Sequence, residues 1–303
     1  MSELRQAVNE VVISGVVLEK DIEEKTIKGK QAITGEVTIE TGANSVHTVN
    51  LFSYLMTKAG KENGFAKGIA TLRDELKTVK DNGRDEADSV TTYQANLSKN
   101  EYIAQDGGLR SYDRISANSL NRTKVGETIN PQSTFKLETF IQAILPEIKN
   151  EEETGRMVIK GVVALYGGKV ALVDLIVSGD KNVAFVEQNY EVGNTVLLTG
   201  EIVNTVETKT HVQEMAFGDD VETIETKTVR ELLITGGSFP HEEEDAYSVD
   251  TIKKALAQRD ITIEEMKEKA KDKQSSGAGK STGATGGFGD MSTSAKEEYD
   301  IPF

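Results

Sequence analysis

The sequence has no cysteine and no tryptophan, and only 3 histidines and 4 prolines in 303 residues. Without cysteine there is neither a disulfide framework nor a thiolate metal site. His47, His211 and His241 lie far apart. They lack the close spacing of a zinc pair, and no Ser, His and Asp set suggests a nucleophile, so each reads as a strand or loop residue. His241 with the acids at 242–245 is a charge run rather than a metal centre. No apolar run approaches the roughly 18 residues of a membrane helix, and the opening MSELRQAVNE has no apolar signal core. We therefore expect a cytoplasmic protein with no membrane partner, cofactor, metal or catalytic residue.

Basic charge is also scarce, with 35 Lys and Arg against 50 Asp and Glu, a net of −15. Taken whole, that balance opposes nucleic acid, because neutralising phosphates drives such binding. Its distribution is uneven. Residues 1–130 carry 17 basic and 19 acidic side chains, residues 131–240 carry 9 and 17, and residues 241–303 carry 9 and 14. Between Arg110 and Lys124, Arg110, Arg114, Arg122 and Lys124 face a single acid, Asp113. Any nucleic acid is expected on the first third.

What is present is mostly strand. Val11–Glu19 is β-branched with Gly15 inside, which predicts a strand bent or bulged there. Residues 20–30 are charged and read as a turn. Gln31–Thr41 alternates, with Ile33, Gly35, Val37 and Ile39 on one face. In Val46–Leu55, Val49, Leu51 and Leu55 point inward, and Phe52 and Tyr54 share the opposite face with Asn50. Phe65–Lys80 carries Ile69, Leu72, Leu76 and Val79 at helical spacing. Two extended runs, Val90–Gln105 and Leu109–Arg122, meet at Asp106-Gly107-Gly108, a hairpin signal.

Three strands, a helix and a hairpin follow the order of an OB-fold, a five-stranded barrel. The order recurs in Phe135–Leu145, Arg156–Tyr166, Lys169–Val177, a short helix or turn at Asn182–Tyr190, then Thr195–Thr205 and Val221–Thr235. A β-sandwich is the structural alternative for either half. The fold class expected is mainly β: OB-fold 1 over residues 1–130, an acidic OB-fold 2 over 131–240, a helical segment over 241–273, and a flexible linker with an acidic tip over 274–303. In Ser248–Lys273, Ser248 or Asp250 could cap one helix and Thr262 a second. A solvated helical stalk is expected there, rather than a pair packed on the second barrel or a subunit. Gly277–Thr282, GAGKST, mimics a phosphate loop but lacks the earlier glycine and the strand-to-helix setting.

OB-folds hold single strands by stacking bases on aromatics in a groove with a cationic rim. The candidates are Phe52 and Tyr54 with Lys58 and Lys61; Tyr102 and Tyr112 about the hairpin turn, alternating with Arg110 and Arg114; then Arg122 and Lys124, with Asn118 and Asn121 as hydrogen-bonding groups. The second unit has Tyr166, Phe185, Tyr190 and Phe217 but few cations, with Lys160, Lys169 and Lys181 as a weak patch. It is expected to serve assembly or protein contact.

The chain ends in AKEEYDIPF, after a stretch rich in Gly, Ser and Thr. Tyr299, Asp300, Ile301, Pro302 and Phe303 present an apolar tip with acidic neighbours on a tether, suited to a pocket with a basic rim. Asp300 to Phe303 resemble the tip of bacterial single-stranded DNA-binding proteins, and the two-unit layout resembles that of bacteriophage single-stranded DNA-binding proteins. The resemblance implies single-stranded DNA as partner and no enzymatic activity. It also implies recruitment of replication, recombination and repair proteins through the tip, in the host cytoplasm if the chain is viral. The alternative is a protein-interaction module, a decoy that fills tip-binding pockets without touching DNA. A homo-oligomer is left open.

Overall fold

A computed structural model describes residues 4–123, 127–213 and 221–277, with backbone only at 207–213, 221–227 and 273–277. Lys124, the glycine-rich stretch from 278 with most of the GAGKST run, and the tip Tyr299–Phe303 lie outside the described residues, as does Phe217.

Strands β1 (Asn9–Ile27), β2 (Lys30–Gly42) and β3 (Ser45–Tyr54) form an antiparallel meander. Helices α1 (Gly64–Glu75) and α2 (Val79–Asn82) follow, then the hairpin β4 (Ser89–Ile103) and β5 (Leu109–Arg122). β5 returns parallel to β3, and β4 pairs with β1, closing a ring in the order 1-2-3-5-4. The second ring repeats it. β6 (Gln132–Lys149), β7 (Glu152–Ala164) and β8 (Val170–Val177) form the meander, α3 (Asp180–Asn189) follows, and β9 (Thr195–Gln213) and β10 (Val221–Gly237) close it. Again the last strand runs parallel to the third, and the fourth joins the first. This is the OB order twice. The start of β1 pairs with the start of β6, from Asn9↔Leu137 to Ser14↔Gln132, so both rings belong to one sheet.

Alternation sets the cores. Ile33, Val37, Ile39, Val49, Leu51 and Leu97 fill the first barrel, with Ile69 and Leu72 of α1 against them. Leu137, Ile141, Ile159, Leu175 and Leu198 fill the second, joined by Val186 of α3. Each such side chain contributes about 1.5–3 kcal/mol by leaving water.

Four local expectations are corrected. The charged stretch after residue 20 is strand: β1 runs on to Ile27 and turns through Lys28 (φ 49°) and Gly29 (φ 76°), the left-handed pair of a type I′ hairpin. Its polar residues fit because Glu23–Thr26 are exposed, the buried face of this hairpin being carried by Ala32 and Ile33 of β2, while the Lys20 ammonium donates to the Leu72, Arg73 and Leu76 carbonyls at the end of α1. Secondly, β1 is irregular between Val17 and Glu19 against β2 and between Val11 and Ser14 against β4, not at Gly15. Gly15 is needed for close approach, since a Cβ there would lie 1.9 Å from the Glu40 carbonyl oxygen. Thirdly, the helix expected over 65–80 is broken. Leu76 is extended, and Thr78 starts α2 by accepting from the Asp81 N–H at 3.1 Å.

Fourthly, the C-terminal segment is one helix, α4 (Val249–Gly277), and it is docked. Ile252, Ala255 and Ile263 are buried, Ile252 to 1% exposure, and the helix packs against β4 of the first barrel and β8 of the second. Arg259 pairs with Glu101 on β4. Thr262 caps nothing; its hydroxyl donates to the Gln258 carbonyl at 3.0 Å within the same helix. The lead-in to α4 is fixed by a buried carboxylate. Glu138, 2% exposed, takes both ends of the Arg5 guanidinium (2.6 and 2.7 Å), the Tyr247 hydroxyl (3.1 Å) and the Val8 N–H (3.2 Å). Arg5 also lies 4.4 Å over the Tyr247 ring. Burial alone would push the Glu138 carboxyl up, but Arg5 and the other donors hold it below its usual value.

Candidate nucleic-acid interface

The second half of the first barrel builds an outward strip. With Ile115 and Ala117 inward, β5 turns Arg110, Tyr112, Arg114, Ser116 and Asn118 the other way. The register sets Tyr102 opposite Arg110, Asn100 opposite Tyr112, Ser98 opposite Arg114 and Asn96 opposite Ser116. Tyr102 and Tyr112, 38% and 40% exposed, meet edge to face with ring centroids 6.4 Å apart. Each therefore keeps one ring face open to a third planar group.

The parallel β3–β5 pairing extends the strip. Asn50 stands beside Ser116 and Leu51 beside Ala117, so Phe52 follows beside Asn118. Phe52 and Tyr54 touch edge to face at 5.1 Å, and the Lys30 ammonium lies 5.7 Å from the Tyr54 ring centre. From Tyr112 to Asn118 the strand covers roughly 20 Å at its usual rise per residue. Two aromatic clusters thus sit at either end of a track floored by Arg114, Ser116, Asn50 and Asn118. That length suits the roughly 4–16 nucleotides one OB-fold holds.

The cations divide into paired and unpaired. Arg110 is held by Asp106 at 2.8 Å, and Lys99, on the opposite face, by Asp113 at 2.7 Å. Asp106 also accepts from the Gly108 N–H, and with Arg110 this holds its carboxyl below the usual range. Arg122 is bound to Asp88 at 2.9 Å and Glu75 at 3.5 Å, at the end of the barrel covered by α1, away from the strip. Arg114 has no acidic partner among the described residues, and its buried Nε has no hydrogen bond. Lys58 and Lys61 are exposed in the loop leaving β3, where the Thr57 N–H donates to the Lys61 carbonyl; neither has an ion pair among the described residues.

Of the residues proposed from sequence, the strip collects Phe52, Tyr54, Tyr102, Arg110, Tyr112, Arg114 and Asn118, with Lys58 and Lys61 at one end. Lys30, Gln94, Asn96 and Asn100 were missed. The last two are cross-strand partners that the Asp106–Gly108 turn sets by counting outward, whereas Lys30 was hidden in a stretch read as turn.

The second barrel has no matching strip among its described side chains. Lys160 pairs with Asp174 at 3.2 Å, and Arg156 and Lys149 both pair with Glu147 and Glu231. Its exposed rings are Tyr166 and Phe239, the latter 5.5 Å from Phe185, and Lys136, Lys169, Lys181 and Arg230 have no ion pair among the described residues. Among the described residues no group of His, Asp and Glu is placed to hold a metal ion, and no helix is long and apolar enough to cross a membrane.

Two closed barrels of OB order, one bearing an aromatic and amide-lined outer strip, define the class: a tandem OB-fold chain. Within it, the chain belongs to the YorF family, whose model matches residues 7–269. No curated protein matches it. Among solved structures it is similar to the wild-type single-stranded DNA binding protein from Thermus aquaticus, at 11% identity and a TM-score of 0.49, over 81% of this chain and 99% of that one. A deletion mutant of the same Thermus aquaticus protein gives 11% and 0.49, over 79% and 98%. At that TM-score the likeness adds nothing to what this chain's own strand order establishes.

Proposed function

We propose that this chain is a single-stranded DNA-binding protein of replication and recombination. It holds the strand along the outward face of its first barrel, by base stacking on Tyr102, Tyr112, Phe52 and Tyr54. Phosphates meet Arg114, Lys30, Lys58 and Lys61, with Arg110 at the margin. The second barrel, acidic in its overall balance, serves assembly or protein contact. The tip Tyr299–Phe303 recruits replication, recombination or repair proteins. No catalytic step is assigned to any residue.

The observation that carries the reading is the Tyr102–Tyr112 pair, open to solvent and flanked in register by Arg110 and Arg114. A core function for these tyrosines would have buried them. A duplex would offer them no free base face, so the arrangement favours a single strand. The test is a gel shift with labelled oligo-dT using Tyr112→Ala, Arg114→Ala in the full chain. Loss of one stack and one phosphate contact should weaken binding by about 100-fold, given about 1–3 kcal/mol per stacked base. Unchanged binding would move the site elsewhere. No binding by the parent chain would favour the decoy reading, to which the small number of unpaired cations lends some weight.

A further inference from the structure

Resting on the single-strand reading, we infer that α4 splints the part of the first barrel that carries the tyrosine pair, and that Arg259 is a positioning residue for the single strand. The buried interior of the barrel ends at Leu97 and Ile115. Beyond them β4 and β5 run on as a two-stranded ribbon, from Ser98↔Arg114 to Ile103↔Leu109. No residue from Ser98 to Arg114 is buried, although this ribbon carries Tyr102, Arg110 and Tyr112. A two-stranded ribbon on its own is marginally stable in water. Its internal ion pairs, Arg110 with Asp106 and Lys99 with Asp113, lie at the surface and add little.

The helix supplies what the ribbon lacks. Alternation puts Tyr102 on the strip and its neighbours Glu101 and Ile103 on the other face. There Arg259 of α4 pairs with Glu101, each side chain only 17% exposed; its other acidic contact, Asp260 at 3.4 Å, is a neighbour on its own helix. Further along, Lys267, Ala270 and Lys271 share a cleft with Ile103 and Gly107, so the helix follows the ribbon to its turn. The other end of α4 is rooted in the second barrel. The Tyr247 N–H donates to Thr195 Oγ1 at 2.9 Å and its hydroxyl to Glu138, and Ile252 and Ala255 join the core. The second barrel thus sets the ribbon's place without touching the strand. Fixing Glu101 on one face fixes Tyr102, the next residue, on the other. With the splint released, both tyrosines must be ordered anew whenever a strand binds.

The test uses the full chain, with oligo-dT anisotropy between 50 and 200 mM salt and amide hydrogen exchange without DNA. Arg259→Met keeps the length of the side chain and removes its charge. It should weaken binding about tenfold at every salt concentration, the cost of ordering two aromatic side chains, with the salt slope unchanged because Arg259 meets no phosphate. Exchange should quicken across Ser98–Arg114 and stay as in the parent across β2 and β3. Arg259→Lys, which can still reach Glu101, should recover most of both effects. Lys254→Met, exposed on the same helix, makes the same change of charge and should bind as the parent does. Parent-like exchange in Arg259→Met, or exchange quickened equally in β2 and β3, overturns the splint and leaves the single-strand reading standing. Unchanged affinity, a slope shallower by about 0.7, or equal weakening by Lys254→Met overturns the positioning role, the last two by making Arg259 a matter of charge alone. Failure of the parent chain to bind oligo-dT overturns the single-strand reading and the positioning role together.

Discussion

The salt dependence of binding follows from which cations the fold has already used. On the strip, Lys30, Lys58, Lys61 and Arg114 make four cations without an acidic partner among the described residues, whereas Arg110 and Arg122 are paired. Each phosphate neutralised on a single strand contributes about −0.7 to the slope of log affinity against log salt, so four give a slope of about −2.8. Affinity for oligo-dT should then fall about 50-fold between 50 and 200 mM salt. Arg114→Ala should reduce the slope to about −2.1 as well as weakening binding at every salt concentration. Fluorescence anisotropy over that range gives both numbers. A slope steeper than about −5 would show that paired cations or the second barrel engage phosphates, and a flat slope would refute phosphate contact altogether.

Three further outcomes concern the fold. His47 is buried against the barrel core, with its Nε2 3.3 Å from Ser45 Oγ, and burial pushes its pKa down to about 4 from an ordinary 6.5. The unfolded chain binds the proton first, so stability is complete above about pH 6.5 and falls by about 3 kcal/mol as pH drops toward 4. His47→Leu should remove that component from urea midpoints measured at pH 7 and pH 4.5; an identical pH dependence would contradict the assignment. Arg5→Ala strands the buried Glu138 carboxylate and should lower unfolding stability by about 2–4 kcal/mol, less than a fully buried pair because Arg5 is half-exposed. Arg5→Ala combined with Glu138→Leu should recover part of the loss, and failure to recover it would place the effect elsewhere. Gly15→Ala drives a Cβ to within 1.9 Å of the Glu40 carbonyl, so β1 and β2 cannot pair as they do; a thermal midpoint within 2 °C of the parent would be inconsistent with that contact.

How much of this was legible depended on whether the signal was local. The alternation in Gln31–Thr41 and the Asp106-Gly107-Gly108 turn showed themselves directly, because a half-buried strand and a tight turn each leave a short-range pattern. The arm of β1 beyond Lys20 left none, since its own side chains from Glu23 to Thr26 are polar and exposed, and the apolar face of the hairpin is carried by Ala32 and Ile33 of β2. The docking of α4 was hidden for a related reason: three widely spaced apolar residues and one arginine hold it, and the partner Glu101 lies 158 residues away. The aromatic half of the strip could be read from sequence. Its electrostatic half could not, because Arg122 looks free until Asp88, 34 residues earlier, is brought beside it. The bond from the Asn118 amide to Gln94 Oε1 was equally invisible, arising from a backbone irregularity that neither residue type announces.

The measurement that bears most directly on the central claim is competition between oligo-dT and a duplex of equal length for the full chain, followed by anisotropy at 50 mM salt. The account predicts that the single strand wins by at least about 100-fold, since only it offers free base faces to Tyr102, Tyr112 and Phe52. Equal affinity for the duplex, or no affinity for either, would contradict it.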